Sequence, residues 1–570
     1  MSPWSDHQRP QDRHTRPLAT PAPGTPSPWQ RLADWVVLER EDIAAIFIYG
    51  GSVSLLGLAA PVVVQALVTT VAFGSVLQPL LVLAIMLLVA LGFSSALKGL
   101  QIWVAEALQR RLFVRVVSDL AHRLPRVRPE AWDGRHPPEV LNRFFDVFII
   151  QKKSVSLLLG GVEVVLTLLV GTLVLALYHP AFLVFDLVLV VLVGVLVFGR
   201  IRIGGETARV ESSAKYAMVA LLQEIAQHPE AVKLASGPAW VRQKVDLLAS
   251  GYLEARRKHF RVLFGQTAGV LTLYAVASAV ALGAGGWLVM ERAITLGQLV
   301  AAELVVTALV GALVQLGKYL ESFYDLLAAV DKVGYVVDLE VENLDGDGVD
   351  LPDRTSLRLT GISCADAGRP ILQDLDLAVD AGGRLVLQGP DRAGRTRLLE
   401  LLAGLRQPDQ GVVALEGRDV RDIAPQDIHR RVMLIGRPAL FSGTILENLA
   451  MGDETLTRGR ASAWLLEVGL DAELLPEGLD TELQAEGKPL DAPACVRLAV
   501  ARAAVASPTL LLLDGTLDGL PETVLEHLCP FLVRADQPWT LVVASDDARV
   551  RQRLGKARSL REGRLEGGEA

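Results

Sequence analysis

The sequence predicts a helical membrane domain of six transmembrane helices with long cytoplasmic extensions, followed by a soluble α/β domain. Of the 570 residues, 51% are hydrophobic, and the mean hydropathy of +0.36 is too high for an ordinary soluble protein. The apolar residues fall into three long blocks within residues 43–317. After Glu342 the chain becomes more polar and alternates short apolar runs with helical patterns, which is typical of an α/β domain.

The N-terminal residues are expected to add a disordered segment and a surface helix. Residues 1–28 are rich in Pro, Arg, Ser and Thr and contain no apolar signal-peptide core, so we expect them to be disordered. Residues 29–41 combine Trp and Val with charges at helical spacing, which is typical of an amphipathic helix at a membrane surface. A soluble helix is the alternative.

Each apolar block is long enough for two membrane spans of about 20 residues. Residues 43–97 carry no charge and contain a turn at 71–79, residues 154–199 are broken at 178–180, and residues 262–317 are broken at 291–292. Lys and Arg crowd the N-terminus and the connections 98–153 and 200–261, whereas the tight turns carry almost none. The positive-inside rule therefore predicts that both termini and both connections are cytoplasmic. These connections are long and helix-prone, so we expect helices that leave the bilayer and return.

Three ionisable residues interrupt the apolar blocks: Glu163, Asp186 and Glu303. Charges within lipid are costly, so such residues are functional candidates, unless each lies near a headgroup layer or is paired inside the bundle. Glu303 shares the last span with Gln298 and Gln315 and is our candidate for the substrate path.

A phosphate-binding loop is indicated within residues 384–405 of the polar region. An apolar strand at 385–387 precedes a loop bounded by Gly389 and Gly394, and a helical stretch begins with Arg395 and Thr396. This follows the pattern G-x-x-x-x-G-K-[ST], in which backbone N–H groups and the helix N-terminus cradle phosphate, except that Arg395 replaces the Lys. An ordinary strand-to-helix turn is the alternative. Further strands are expected at 356–359, 432–435, 509–513 and 540–544.

Four further windows carry a family resemblance: residues 441–449 (FSGTILENL), 478–487, 497–503 (RLAVARA) and 508–514 (PTLLLLD). In this order and spacing they resemble the segment after the Q-loop, the X-loop region, the helix after the signature motif and the Walker B strand of a bacterial ABC exporter half-transporter. The resemblance implies a membrane domain over 29–335, a linker over 336–354 and a nucleotide-binding domain over 355–570.

The resemblance implies ATP and Mg²⁺ as ligands, yet most chemical positions depart from the family pattern. Gly389, Gly394, Arg395 and Thr396 would bind nucleotide, and Asp514 would bind Mg²⁺. The departures stand where the family has its adenine-stacking aromatic, Q-loop Gln, signature Ser, catalytic Glu and switch His; in chain order they are Asp366, Gly436, Asp491, Gly515 and Ser545. Hydrolysis needs a positioned water and stabilised charge on the phosphoryl group. We therefore expect a pseudo-ATPase without catalytic residues, which either binds nucleotide weakly or has Arg395 paired with a nearby carboxylate.

The resemblance also implies coupling helices in the two cytoplasmic connections. Residues 136–143, with Glu139 and Arg143, resemble the first, and residues 224–233, with Glu224 and Lys233, resemble the region of the second. Their docking surface would include residues 441–449, with Phe441, and the X-loop region around Glu482 and Glu486. Solvated helical turns are the alternative.

Two hypotheses for the whole chain stay open at the level of sequence. The first is an exporter subunit of the bacterial inner membrane, acting in lipid as a homodimer or as a heterodimer with an ATP-hydrolysing partner. The second is a membrane scaffold or nucleotide-sensing accessory subunit of a secretion system. The three apolar blocks exclude a soluble metabolic ATPase, and the net charge of −8 gives no reason to expect nucleic-acid binding.

Overall fold

The computed structural model divides the chain into two compact units. Unit 1 comprises Met1–Pro125 and Gly134–Leu339, and unit 2 comprises Arg126–Asp133 and Glu340–Ala570. The described residues are 26–566 with gaps at 73–76, 134–136, 236, 344–345, 367, 391, 472–474 and 485–486. The expected disordered segment 1–28 therefore lies almost wholly outside the described residues, as does Glu486 of the expected docking surface.

Unit 1 is built from helices throughout its described residues. In chain order they are α1 (Pro28–Leu38), α2 (Arg40–Gly57), α3 (Ala59–Ala72), α4 (Leu77–Arg123), α5 (Pro137–Asn142), α6 (Asp146–Ser156), α7 (Val162–Tyr178), α8 (Pro180–Phe198), α9 (Ile201–Gln227), α10 (Pro229–Leu234), α11 (Gly237–Met290) and α12 (Leu296–Val337). A π-helical turn, Leu157–Gly161, joins α6 to α7.

Six helical segments of the described chain are long and apolar enough to cross a membrane, as the sequence predicts. They are Arg40–Thr70, Gln78–Arg126, Val140–Leu177, Pro180–Gln227, Gly237–Met290 and Leu296–Val337. Helix α11 has 54 residues and α4 has 47. At 1.5 Å per residue they are about 80 and 70 Å long, against about 30 Å for the hydrocarbon layer. The expected helical extensions beyond the bilayer are therefore present.

The predicted N-terminal helix forms and packs within unit 1. Ser27 and Gln30 make a reciprocal capping box, and Pro28 occupies the first turn, where its missing N–H costs nothing. The ring of Trp29 lies 5.5 Å from that of Phe323 on α12, and Arg31 pairs with Asp338 just beyond that helix. The helix is thus fixed to the last helix of unit 1 by an aromatic contact and an ion pair.

The described residues of unit 2 form three sheets. Its strands are β1 (Leu357–Asp366), β2 (Arg369–Val379), β3 (Arg384–Gln388), β4 (Gln410–Leu415), β5 (Arg418–Asp419), β6 (Val432–Ile435), β7 (Gly443–Thr444), β8 (Glu482–Leu483), β9 (Leu510–Asp514), β10 (Thr540–Ala544), β11 (Ala557–Arg561) and β12 (Arg564–Glu566). The strand orders are β2-β1-β4-β5, β12-β11-β3-β10-β9-β6 and β7-β8. In the second sheet the pairings from β11 through β6 are parallel, and the five strand regions expected from the sequence are all present.

Helices cover the parallel sheet of unit 2. They are α13 (Arg395–Leu402), α14 (Pro425–Arg431), α15 (Ile445–Ala450), α16 (Arg458–Glu467), α17 (Ala492–Val505), α18 (Glu522–Val533) and α19 (Ala548–Leu554). Strand β9 reads Leu-Leu-Leu-Leu-Asp, and its four leucines are buried, because central parallel strands are covered on both faces. Two buried apolar clusters contain this strand's leucines, with Leu511 and Leu513 in one and Leu510 and Leu512 in the other.

A short piece of the first long connection, residues 98–153, belongs to unit 2. Val127 bridges Val341 in antiparallel fashion, the Arg128 N–H donates to the Glu340 carbonyl at 2.9 Å, and the Glu342 N–H donates to the Arg126 carbonyl at 2.8 Å. The domain division expected from the sequence assigned this segment, residues 126–133, to the membrane domain. Its hydrogen bonds are with the start of the C-terminal region.

Candidate functional site

The candidate nucleotide site lies at the carboxyl edge of the parallel sheet. Strand β3 pairs with β10, and β10 pairs with β9, so Leu387, Ala544 and Asp514 end side by side. Ligands of open α/β sheets bind at this edge, in the crevice beyond the strand ends. The loops that follow these three strands therefore meet at one place.

The two glycines that bound the loop after β3 both have positive φ angles. Gly389 has φ +157° and Gly394 has φ +97°, both in the region that favours glycine. A Cβ on Gly389 would lie 2.1 Å from the Leu560 carbonyl oxygen, and one on Gly394 would lie 2.8 Å from Leu372 Cδ2. Helix α13 begins at Arg395, with Thr396 exposed in its first turn. Both glycine positions of the predicted loop thus have conformations that favour glycine, and a helix follows them as expected.

The Arg395 side chain, however, is engaged by the chain's own carboxylate. Its Nη1 lies 2.7 Å from Asp546 Oδ2, and the arginine side chain is 16% exposed. This contact is an ion pair, since its alignment is not that of a hydrogen bond. The other oxygen of Asp546 accepts a 3.1 Å hydrogen bond from the Gly389 N–H. Pairing of Arg395 with a nearby carboxylate, the alternative raised by the sequence, is what the structure contains.

The strand ends beside this loop carry one acidic residue at the expected metal position and none at the catalytic position. Asp514 ends β9 and is half-buried, and Gly515 follows with φ +62°. A Cβ on Gly515 would lie 4.0 Å from Asp518 Oδ2. No group of three or more His, Cys, Asp and Glu side chains able to hold a metal ion occurs in the described part of the chain.

The position of the switch His is a buried serine. Ser545 has no exposed surface, its hydroxyl donates to Asp518 Oδ1, and its N–H donates to the Leu387 carbonyl on β3 at 3.0 Å. Asp547 caps helix α19 by accepting from the Arg549 N–H at 2.9 Å. The hydrogen bonds from Arg549 lower the pKa of the Asp547 carboxyl, so this group stays ionised at neutral pH.

The signature and adenine positions also hold acidic residues with local roles. Asp491 caps α17, accepting a 2.8 Å hydrogen bond from the Ala494 N–H, and Pro493 lies in the first turn. The N-terminus of this helix is thereby occupied by a side chain of the same molecule. Asp366 is exposed at the end of β1 and lies opposite Arg369 in the β1–β2 register.

The Q-loop position keeps only its backbone. The Gly436 carbonyl accepts a 3.3 Å hydrogen bond from the Thr516 hydroxyl, which also donates to the Ile435 carbonyl at 2.6 Å. A Cβ at Gly436 would meet no atom within 4 Å among the described residues, so a side chain could begin there without a clash.

The expected docking surface forms one continuous structure within unit 2. Strands β7 and β8 pair Thr444 with Glu482, Thr444 and Glu447 make a capping box, and Asn448 binds both backbone groups of Phe441. Phe441 is 57% exposed, a large apolar side chain left uncovered beside an ordered turn. These two windows, distant in sequence, are therefore adjacent, as the docking hypothesis requires.

The four expected coupling residues lie on described helices or turns of unit 1. Glu139 lies on α5, and its side chain is outside the described part of the structure. The Arg143 guanidinium stacks 3.9 Å from the centre of the Tyr335 ring. Glu224 on α9 and Lys233 on α10 are exposed.

The ionisable residues of the apolar blocks differ in their surroundings. Both carboxylate oxygens of Glu163 accept from Lys98 Nζ, at 3.0 and 2.9 Å, so this residue is paired within the helices, one of the two alternatives raised for it. Glu303 is half-buried on α12. Gln298 does not join it in a polar feature, because its side chain completes the capping box with Thr295. The Asp186 side chain lies outside the described part.

An ionic network around Arg406 escaped the sequence reasoning. Its guanidinium, 8% exposed, binds Asp133 through two 2.7 Å hydrogen bonds, and its Nε lies 2.8 Å from Glu400. The Arg406 hydrogen bond lowers the pKa of the Asp133 carboxyl, and the same bond raises the pKa of Arg406. Asp546 was also missed. Local spacing does not reveal either contact, because both join residues far apart in the chain.

Comparisons with known proteins agree with these features. The profile of the ABC transporter transmembrane region matches residues 43–313, and the ABC transporter profile matches residues 372–517. The multidrug efflux ATP-binding/permease protein of Mycobacterium bovis is 26% identical over 502 residues, which are 85% of this chain and 41% of that protein. The aliphatic sulfonates import ATP-binding protein SsuB 1 of Nocardia farcinica is 32% identical over 34% of this chain and 72% of that protein.

A fungal protein and a solved structure are also similar to this chain. The ABC multidrug transporter mdr2 of Aspergillus fumigatus is 27% identical over 275 residues, and the chain covers 33% of its length. A bacterial Atm1-family ABC exporter with ATP bound superposes with a TM-score of 0.80 at 19% identity, covering 93% of this chain and 95% of that one.

A helical region of six candidate spans joined to a phosphate-loop α/β domain defines a multi-pass membrane protein of the transporter class. The chain belongs to the ABC transporter family. With one membrane region and one nucleotide domain in a single chain, and the fold of an Atm1-family exporter, it has the architecture of an exporter half-transporter.

Proposed function

We propose that the chain is a subunit of an ABC-type exporter whose nucleotide domain binds Mg-ATP weakly and does not hydrolyse it alone. In this proposal it acts as a dimer in the bacterial inner membrane, with both termini cytoplasmic, and an ATP-hydrolysing partner drives the cycle. The placement of Lys and Arg in the two long connections supports this orientation. The half-transporter architecture supports the dimer, because residues 1–570 include one match to the nucleotide domain.

The glycine at position 515 is the observation that carries the proposal. Hydrolysis needs a group that accepts a proton from the attacking water, and Gly515 offers none at the end of β9. The neighbouring carboxylates have other partners: Asp518 accepts from Ser545, and Asp546 pairs with Arg395 and Gly389. While these contacts are made, neither carboxylate is free to replace the missing base.

Nucleotide contacts would come from the residues that keep the loop conformation. In this proposal Gly389, Gly394 and Arg395, with Thr396 at the start of α13, would contact the phosphates; the positive φ angles of the two glycines support this. Asp514, at the end of β9, would hold the Mg²⁺ of a bound nucleotide. The energy of nucleotide binding would then favour closure of two nucleotide domains. In this proposal the docking surface around Phe441 and Glu482 would transmit this closure to the membrane helices.

The alternative is a membrane scaffold or nucleotide-sensing accessory subunit of a secretion system. The family's shared sites take the phosphate loop from one chain and the signature from the other. Here the phosphate loop carries the Arg395–Asp546 pair, and the signature position carries Asp491. Even a heterodimer would then lack a fully standard site, which favours the alternative. Co-purification with a second exporter chain would support the transporter, whereas a stable homodimer without such a chain would support the scaffold.

The proposal is tested by measuring Mg-ATP binding and phosphate release on the purified full-length chain in lipid. We expect weak binding and no turnover. Arg395→Lys should also show no turnover, because position 515 still lacks a base. Arg397→Lys is the matched control, since Arg397 lies two residues further along α13 and pairs with Glu400. Turnover by the wild-type chain alone, or its recovery in Arg395→Lys, would contradict the proposal.

A further inference from the structure

Resting on the proposed weak nucleotide binding, we infer that Asp546 is an internal anion that occupies the phosphate loop and competes with nucleotide. One carboxylate contacts two groups of the loop that would otherwise face a phosphate. Oδ1 accepts from the Gly389 N–H at 3.1 Å, and Oδ2 lies 2.7 Å from Arg395 Nη1. The chain's own side chain thereby neutralises the cation that replaces the family's lysine.

The backbone around Asp546 keeps the carboxylate at this position. On its N-terminal side, Ser545 is buried, with its N–H bonded to the Leu387 carbonyl on β3 and its hydroxyl bonded to Asp518. On its C-terminal side, Asp547 starts helix α19 and binds Arg549. Because both neighbours are fixed, Asp546 remains close to the loop even when its ion pair opens.

The contact is one that a nucleotide can displace. The Asp546 side chain is 49% exposed, so solvent reaches it, whereas the Arg395 side chain is only 16% exposed and is mostly buried. A phosphate entering the loop must push this carboxylate aside and then lie near a like charge. When only a fraction of molecules has the loop open, the measured affinity falls in proportion to that fraction. A tethered competitor of this kind acts at a high effective concentration.

The geometry therefore assigns the weakness of the site largely to position 546, and not only to the lysine-to-arginine change. Removing the carboxylate frees both the Arg395 guanidinium and the Gly389 N–H. Replacing it with an amide removes the charge but keeps an oxygen that can accept from Gly389. The two changes should strengthen phosphate binding in that order, with the larger effect from Asp546→Ala.

The test is a Mg-ATP titration on full-length wild type, Asp546→Ala and Asp546→Asn in lipid nanodiscs, with phosphate release followed in the same samples. We expect affinity to rise at least about ten-fold in Asp546→Ala, which corresponds to an open-loop fraction below about one tenth in wild type. Asp547→Asn is the matched control. It removes a neighbouring charge but keeps an oxygen that can accept from the Arg549 N–H and cap α19, so the backbone that positions Asp546 is retained and the Mg-ATP affinity should change less than about two-fold.

A second measurement does not depend on ATP. Inorganic pyrophosphate should raise the thermal unfolding temperature of Asp546→Ala more than that of wild type, because only the variant has an open anion site. Equal Mg-ATP affinity in wild type and both variants would overturn the inference, and so would absence of binding in all of them at millimolar ATP. Neither result concerns turnover. The pseudo-ATPase proposal fails separately, if wild type releases phosphate.

Discussion

Replacement of Arg406 by methionine is expected to loosen the attachment of the segment 126–133 to the rest of unit 2. Methionine keeps an apolar stem of similar length but removes the guanidinium that binds Asp133 through two 2.7 Å hydrogen bonds. Glu400, 23% exposed, would also lose the Nε partner that lies 2.8 Å away. Two carboxylates in one neighbourhood would then be left without their common cation.

The expected cost is about 2 kcal/mol. A hydrogen bond to a charged group contributes about 1.5 to 3 kcal/mol, and a bidentate Arg–carboxylate pair is among the stronger arrangements. The Asp133 side chain is 48% exposed, so water replaces part of what is lost, and the estimate belongs at the lower end of that range. Since 1.4 kcal/mol is a factor of ten, local opening should become about 30-fold more frequent.

Hydrogen–deuterium exchange on the full-length chain measures this opening directly. The amides of Arg128 and Glu342 pair with the Glu340 and Arg126 carbonyls, and both should exchange about 30-fold faster in Arg406→Met. Arg421→Met is the control, because Arg421 pairs with Asp419 only two residues away and fastens no distant segment. Unchanged exchange at Arg128 and Glu342 in Arg406→Met would refute the role assigned to this network.

The same network gives a pH dependence with a definite sign. The Arg406 hydrogen bond holds the pKa of the Asp133 carboxyl below its unfolded value of about 3.9. A depressed carboxyl pKa adds stability that is fully present above the unfolded pKa and is lost as the pH falls through the folded one. Protection of Arg128 should therefore be constant from pH 5 to 8 and should fall below about pH 4.

Three further outcomes are expected. Gly515→Glu should destabilise unit 2 by about 1 to 3 kcal/mol without restoring phosphate release, because φ is +62° and the new side chain would start 4.0 Å from Asp518 Oδ2. Thermal unfolding measures the loss of stability, and an ATPase assay measures phosphate release. Lys98→Met and Glu163→Leu should each lower thermal stability more than the double variant does, with a coupling energy of about 0.5 to 3 kcal/mol in the cycle; additivity would exclude the pair. Cys529 is 1% exposed and burial raises its pKa to about 11, so alkylation at pH 8 should be more than about 100-fold slower than for a free thiol, and urea should remove the difference.

Local spacing was sufficient for the elements of the fold and for the shape of the phosphate loop. Strand β3, the two glycines Gly389 and Gly394, and the start of α13 are all encoded within about a dozen residues. Periodicity and apolar length likewise predicted the six spans. These features depend on neighbours in the chain, and such patterns can be read directly.

The partners of the charged residues could not be predicted in the same way. The ion pair of Arg395 with Asp546 exists because β10 lies beside β3, a strand order that the sequence does not state. Asp133 and Arg406 are 273 positions apart. Asp546 does follow the strand expected at 540–544, so a known strand order would have placed it beside the loop. The chemistry of the candidate site is thus set by pairing between distant strands.

The split composition of unit 2 has a consequence for how the chain is made. Asp133, at the end of this segment, is synthesised 273 residues before its partner Arg406. At about 5 to 20 residues per second this separation is a delay of about 14 to 55 s. The backbone partners of Arg128 and Arg126, Glu340 and Glu342, are added earlier than Arg406, 212 (340 − 128) and 216 (342 − 126) residues after them. A fragment beginning at residue 340 would not contain Arg126 and Arg128, so Glu340 and Glu342 would lack these backbone partners permanently. The nucleotide domain therefore completes its own structure only after the membrane helices have been synthesised.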